Sequence, residues 1–368
     1  MVNLKFIFIL TITSLLYPGV PSPIKALWVV RDHMVKPELI DKALSFAEKN
    51  GFNHVFAQVR GRGDSFYDSD FVPKSKLVTS DFDPLKYLIN KCKNKKIKVH
   101  AWINVYYLWS SKNHPAHNDH LLFQKPDWLD QRKKDKYISN KIFLNNKNDI
   151  HINGEGFFLA PTNPDVNEYL INVVSEISSK YALDGIHYDY IRYHSMDYGY
   201  NRFGLSVFSE INKYNEYDLT ENYNRIFSAY KRNAITEFVK NAKVAIKDNL
   251  PDCIISAAVK PNIYDAKLSF YQEWDLWLSA GYIDWAVPMN YIVDNNDFIQ
   301  NMYMIKDHLP EKYHHKIVVG ISTYNQSPRS AGKKINRLRK MQFNNISIFS
   351  YNTIIENPRY WKRLKKYF

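Results

Sequence analysis

The segment Asp184-Gly185-Ile186-His187-Tyr188-Asp189-Tyr190-Ile191-Arg192-Tyr193 carries the strongest chemical signal in the chain. Side chains alternate along a strand, so His187 and Asp189 share a face, and Asp189 falls at the strand's carboxyl end. A carboxylate turned into a protein interior is costly without a partner or a task. His187 and Arg192 are available as partners. Two carboxylates flanking an acetal suffice to hydrolyse it, one protonating the leaving oxygen and the other acting as nucleophile or base. Separations of ~5 Å or ~6.5–9.5 Å distinguish the retaining and inverting forms. Two acids are candidates for the second role. Asp64 lies in Gln58-Val59-Arg60-Gly61-Arg62-Gly63-Asp64, where Gln58 and Arg60 share a face and two glycines let the chain turn over. Glu273, in Gln272-Glu273-Trp274, stands at a predicted helix start, where a carboxylate also serves as a cap or dipole partner.

Other groups are placed to hold a ligand beside Asp189. Trp102, Asn104 and Tyr106 alternate at the end of the third predicted strand and could stack on, and hydrogen-bond, a sugar ring. The fifth strand runs out through Lys260, and the sixth through Asn290 and Tyr291. His114, His117 and His120 recur every third residue in a loop, but no HExxH or carboxylate ligand set accompanies them, and a solvated loop accounts for them. No serine elbow or P-loop is present. The expectation is chemistry without a cofactor or metal. A metal-assisted deacetylase using the loop histidines is the third-ranked reading.

Eight short apolar runs are available to position these residues: Ala26–Val30, His54–Val59, Ile97–Val105, Gly185–Tyr190, Cys253–Val259, Ile283–Met289, Ile317–Ile321 and Ile346–Ser350. Helical patterns separate most of them, among them Pro37–Lys49, Pro164–Tyr181 and Ile226–Lys247. This alternation predicts an α/β fold, a (β/α)8 TIM barrel in one domain over 23–368, with long loops after strands three and four. Loops of that length, leaving the carboxyl face, are where such barrels keep their sites. No GxGxxG follows the first strand, which removes support for a doubly wound sheet.

Residues 1–22 are expected to be a signal peptide: Lys5 precedes an apolar run from Phe6 to Leu16, too short to cross a bilayer. The expectation is therefore a secreted or envelope protein with no stable membrane insertion. Only Cys92 and Cys253 are present, so no disulfide framework exists. The net charge of +13 favours an anionic partner. No basic cluster interleaved with aromatics reads as a nucleic-acid module.

Six blocks in order, "ALWVVRDHM", "GFNHVFAQVRGRGDSFYDS", "KVHAWINVY", "LAPTNPDVNEYLINVVSEISSKYALDGIHYDYIRY", "DYGYNRFG" and "YQEWDLWLSAGYIDWAVPMNY", resemble the glycosyl-hydrolase-like ten family across roughly 26–352. The resemblance implies a secreted TIM barrel that hydrolyses glycosidic bonds, with a cell-wall or other envelope polysaccharide as substrate. It further implies Asp189 as the leading catalytic residue and Glu273 as the acid of the "QEW" block. Two departures stand out: "RYH" at Tyr193-His194 where "RYP" is frequent, and an Asn- and Lys-rich loop over 132–153. The site expected from these readings joins Asp189, Glu273 and Asp64 as catalytic acids. Gln58, Arg60, Arg62, Trp102, Asn104, Tyr106, His187, Arg192, Lys260, Asn290 and Tyr291 are expected to contact substrate. A glycan-binding barrel without catalysis is the alternative.

Overall fold

The computed structural model describes residues 22–136, 154–213 and 220–368. The expected signal peptide and most of the 132–153 loop lie outside them. Eight parallel strands form one sheet: β1 (Lys25–Val29), β2 (His54–Arg60), β3 (Lys98–Asn104), β4 (Gly185–Asp189), β5 (Ile254–Val259), β6 (Trp285–Pro288), β7 (Val319–Ser322) and β8 (Ile346–Phe349). Their spatial order is β6-β5-β4-β3-β2-β1-β8-β7. A parallel bridge between Ala286 and Ile317, with Val318 N–H donating to Ala286 O at 2.9 Å, joins the two edges into a barrel. The expected (β/α)8 architecture is therefore present. The helix Pro37–Lys49 has its expected bounds, and Pro164–Lys180 and Glu221–Asn249 match their patterns closely.

The strands are apolar on both faces because both are covered. Outward residues such as Leu27, Val55, Ile186 and Ile255 join the helices in the large core. Inward residues form a separate small core of Ala26, Trp28, Phe56, Trp102, Ala258, Val287 and Val318. Histidines complete its layers. His54 Nδ1 and His100 Nε2 are 2.8 Å apart at the bottom. Above them His187 stacks on Phe56 at 4.2 Å and bonds Ser256 Oγ at 2.8 Å. Acids at strand starts tie the bottom together: Asp184 accepts from Val99 N–H, and Asp284 from Ile255 N–H.

The insertion after β3 opens with a hairpin pairing Tyr107–Trp109 with Phe157–Phe158. The insertion after β4 carries the helix Arg202–Asn212. Asp130 Oδ1 accepts Gly199 N–H at 2.9 Å, linking the two insertions. Buried Lys231, from Glu221–Asn249, donates to Tyr198 O and Tyr271 Oη. Cys92 and Cys253 are buried free thiols.

Candidate active site

Strand β4 stops at Asp189 because Tyr190 turns into the left-handed region, with φ of 49°. Its N–H folds back to donate to Asp189 Oδ1 at 2.7 Å. The carboxylate thus sits in the floor of a cleft of 850 Å³ at the carboxyl ends of the strands. Asp189 is only 7% exposed. Burial pushes its carboxyl up to about 6, against the lowering effects of the Tyr190 N–H, Arg192 and the Trp102 indole, and the charge of Glu155 raises it further.

Of the expected contact residues, Gln58, Arg62, Trp102, Asn104, Arg192, Lys260 and Tyr291 line the same cleft. Three form a network: Trp102 Nε1–H donates to Asn104 Oδ1 at 3.1 Å, Gln58 Nε2–H approaches it at 3.4 Å, and Asn104 Nδ2–H donates to Gly61 O at 2.8 Å. Arg192 packs across Tyr190 at 5.0 Å and pairs with Glu155 Oε2 at 2.7 Å.

The other expected residues stand elsewhere. A register shift in β2 between Gln58 and Arg60 sets Arg60 opposite Ile103, so Arg60 leaves the Gln58 face. It is fully buried, and its guanidinium donates to Asn104 O and Val105 O. Strand β3 ends at Asn104, so alternation does not extend to Tyr106, whose hydroxyl donates to Asn167 at 2.9 Å under the helix Pro164–Lys180. His187 lies below the floor, neutral because burial lowers it to about 3. Asn290 is buried and donates to Phe298 O at 2.9 Å. Glu273 pairs with Lys267 at 2.8 Å and Arg232 at 3.2 Å, away from the cleft. Asp64 accepts from Arg62 N–H at 3.0 Å and does not line the cleft either.

In their place the cleft has Glu155 and Asp265 as its further acids, with Trp28, Arg31 and Tyr107. Glu155 is 42% exposed on its side chain and follows Gly154. Its backbone N–H donates to His194 Nε2 at 2.9 Å, so the departure from "RYP" supports this acid. Among the described residues no cluster of three or more His, Cys, Asp or Glu is set to hold a metal ion. His120 uses both ring nitrogens, on Arg62 O and Leu122 N–H.

Two buried polar atoms bordering the cleft have no hydrogen-bond partner, Trp28 Nε1 and Tyr291 Oη. Leaving such groups unpaired costs stability unless a ligand completes them. Tyr291→Phe should raise KM roughly tenfold with kcat little changed, the loss of one ligand hydrogen bond. Steady-state kinetics on the two proteins decide it; an unchanged KM would remove Tyr291 from the binding site.

A closed parallel barrel with a polar cleft at its carboxyl face has that cleft where barrel enzymes keep their sites, and a buried carboxylate there is one of the two that glycoside hydrolysis requires. The chain belongs to the glycosyl hydrolase-like 10 family, which it matches over residues 6–337. It is 24% identical over 314 residues to glycosyl hydrolase DigH of Escherichia coli K12, covering 78% of this chain and 65% of that one. It is 24% identical over 276 residues to glycosyl hydrolase YngK of Bacillus subtilis 168, covering 68% of this chain and 48% of that one. The chain thus spans about two-thirds and about half of these relatives. The fold is similar to the PgaB (BpsB) glycoside hydrolase domain of Bordetella bronchiseptica, with a TM-score of 0.70 at 11% identity, covering 93% of this chain and 98% of that one. It is also similar to the catalytic domain of β-amylase from Paenibacillus polymyxa, with a TM-score of 0.62 at 11% identity, covering 94% and 97%.

Proposed function

We propose that this protein is an exported glycoside hydrolase that cleaves an envelope polysaccharide, with Asp189 as the proton donor. The observation that carries the reading is the Asp189 carboxyl, raised to about 6 in the floor of a cleft large enough for several sugar units. A carboxyl tuned this way holds a proton in mildly acidic medium and can pass it to the leaving glycosidic oxygen. The second carboxylate is Glu155 on the cleft wall, whose charge acts on Asp189. It activates water or attacks the anomeric carbon as the C–O bond breaks, and the proton from Asp189 ends on the departing hydroxyl. Glu273 and Asp64, the partners expected from sequence, are held outside the cleft. Arg31, Arg62, Arg192 and Lys260 outnumber Asp189, Glu155 and Asp265 on its walls, which favours an anionic or zwitterionic glycan.

The test is release of new reducing ends from purified cell-wall glycan and from neutral polysaccharides. The rate should fall on the alkaline side of about pH 6, where Asp189 loses its proton. Arg192→Met removes a cation that favours the carboxylate and frees the charge of Glu155. Both effects raise Asp189, so the alkaline limb should move to higher pH. A limb that stays put or moves down would dismiss Asp189 as the donor. Failure to release reducing ends from any of these glycans, with binding retained, would leave the non-catalytic barrel.

A further inference from the structure

The excess positive charge is not spread over the barrel. Residues 328–368 hold eleven Lys and Arg against one acid, Glu356, a net of +10 in a chain whose total is +13. Six of these cations belong to the helix Pro328–Lys340: Arg329, Lys333, Lys334, Arg337, Arg339 and Lys340. Five more follow on the helix Pro358–Leu364 and its continuation: Arg359, Lys362, Arg363, Lys365 and Lys366. All but Lys334 are exposed. The two segments are packed into one surface. Gly332 has no side chain to keep the Tyr367 ring away, since a Cβ there would meet that ring at 2.3 Å. Arg339 and Lys25 both hold Phe368 O, at 3.0 and 2.7 Å. Among the described residues none of the ten exposed cations is in a salt bridge with Asp or Glu. Described acids of this chain therefore leave them without a salt-bridge partner.

Beside this surface runs a groove of 520 Å³ between the helices Asn295–His308 and Pro328–Lys340. Lys333, Arg337 and Lys340 project along it at one-turn intervals, and no acid lines it. Buried Lys334 fixes its wall by donating to Ile292 O, Val293 O and Gln326 Oε1. The remaining lining is mostly amide: Asn295, Asn296, Gln300 and Asn336, with Tyr303 at 47% exposure.

We infer that this groove and the basic face beside it bind an extended acidic polysaccharide, separately from the cleft. Cations one turn apart repeat about every 5.4 Å, comparable to one sugar unit of an extended chain. Amides supply donors and acceptors for hydroxyls, and Tyr303 offers an aromatic face to a ring. Single-stranded nucleic acid would call for a row of stacking platforms along a basic track, where the groove has one ring. A lipid surface would call for apolar side chains to insert, and those of both helices, among them Ile335, Leu338, Trp361 and Leu364, are turned inward. The surface would hold a polymer whether or not the cleft is catalytic.

Polygalacturonate serves as the acidic probe, with neutral dextran, single-stranded DNA and phosphatidylglycerol vesicles as comparisons. The full chain should bind polygalacturonate with affinity that drops as salt rises. The triple variant Lys333→Gln, Arg337→Gln, Lys340→Gln should lose roughly tenfold or more, as removal of several contacts to a polyelectrolyte requires. The quadruple variant Lys362→Gln, Arg363→Gln, Lys365→Gln, Lys366→Gln should weaken binding in the same direction. Lys86→Gln with Lys93→Gln, exposed cations at the helix Pro84–Cys92, should leave it within about twofold, since they belong to neither the groove nor the basic face. All these positions are exposed, and an unchanged Tm certifies the fold. The inference is overturned if dextran binds as well as polygalacturonate, if the triple variant keeps its affinity, if the Lys86 and Lys93 variant loses it, or if DNA or vesicles are preferred.

Discussion

Asp189→Asn should reduce glycan hydrolysis by ~10³-fold or more, the scale expected when a general acid is removed, and should make the protein more stable at neutral pH. The two effects have one origin. In the folded chain the carboxyl is held at about 6, against an ordinary value of 3.8. The stabilising contribution of such a group is fully present below 3.8 and is lost as pH rises through about 6. At higher pH the native state carries a buried charge at a cost of up to about 3 kcal/mol. Asn preserves an oxygen for the Tyr190 N–H and removes that cost. The Tm of the variant relative to the parent should therefore climb between about pH 3.8 and about pH 6 and level off above that. A structural acid would behave in the opposite way, because its loss would break favourable bonds and lower Tm at every pH. Melting curves at several pH values, with a reducing-end assay, separate the two. A variant with parental turnover, or one destabilised at neutral pH, would end the catalytic assignment.

The barrel was readable because its signals are local and repeated. Eight β-rich runs alternate with helical patterns, and Pro at helix starts marks boundaries, as at Pro37 and Pro164. The placement of Asp189 was readable from the same regularity, as the last inward position of an unbroken strand. Residues beyond the point where the pattern breaks were not. The period-two argument grouped Arg60 with Gln58, but the register shift between them reverses the direction of Arg60. It grouped Tyr106 with Asn104, but the strand ends first. Trp28 lies in a continuous apolar run, where inward and outward faces have the same composition and no alternation can be seen. Glu155 belongs to no periodic element. It reaches the cleft through the Tyr107–Trp109 and Phe157–Phe158 hairpin, a long-range pairing across a 47-residue separation of its inner ends. Its nearest sequence signal was indirect, the His194 that departs from the commoner proline and now accepts the Glu155 N–H.

Gly185→Ala should destabilise the barrel by about 3 kcal/mol, at the upper end of overpacking costs, although it adds a single methyl group. Gly185 is the first residue of β4 and faces inward opposite His100. A Cβ there would stand 2.1 Å from His100 Nδ1 and 2.7 Å from Ile254 O. Neither can give way easily. The His100 ring is fully buried, tied to His54 at 2.8 Å, and set edge-on to Phe56 at 5.2 Å with Trp285 at 5.4 Å. Ile254 O is strand backbone of β5, in register with Gly185. The methyl must therefore displace the histidine pair or move β4 itself. Any shift of β4 passes to Asp189 at its far end, so turnover should fall along with stability. The bland alternative is that Gly185 only begins a strand, where alanine would be harmless or mildly favourable. A double-mutant cycle with His100→Ala distinguishes them. Trimming the ring creates room for the methyl, so the double variant should be at least about 1 kcal/mol less unstable than the sum of the single changes. Denaturant unfolding of the four proteins gives the answer. Additivity within about 0.5 kcal/mol would mean that His100 is not what Gly185 accommodates.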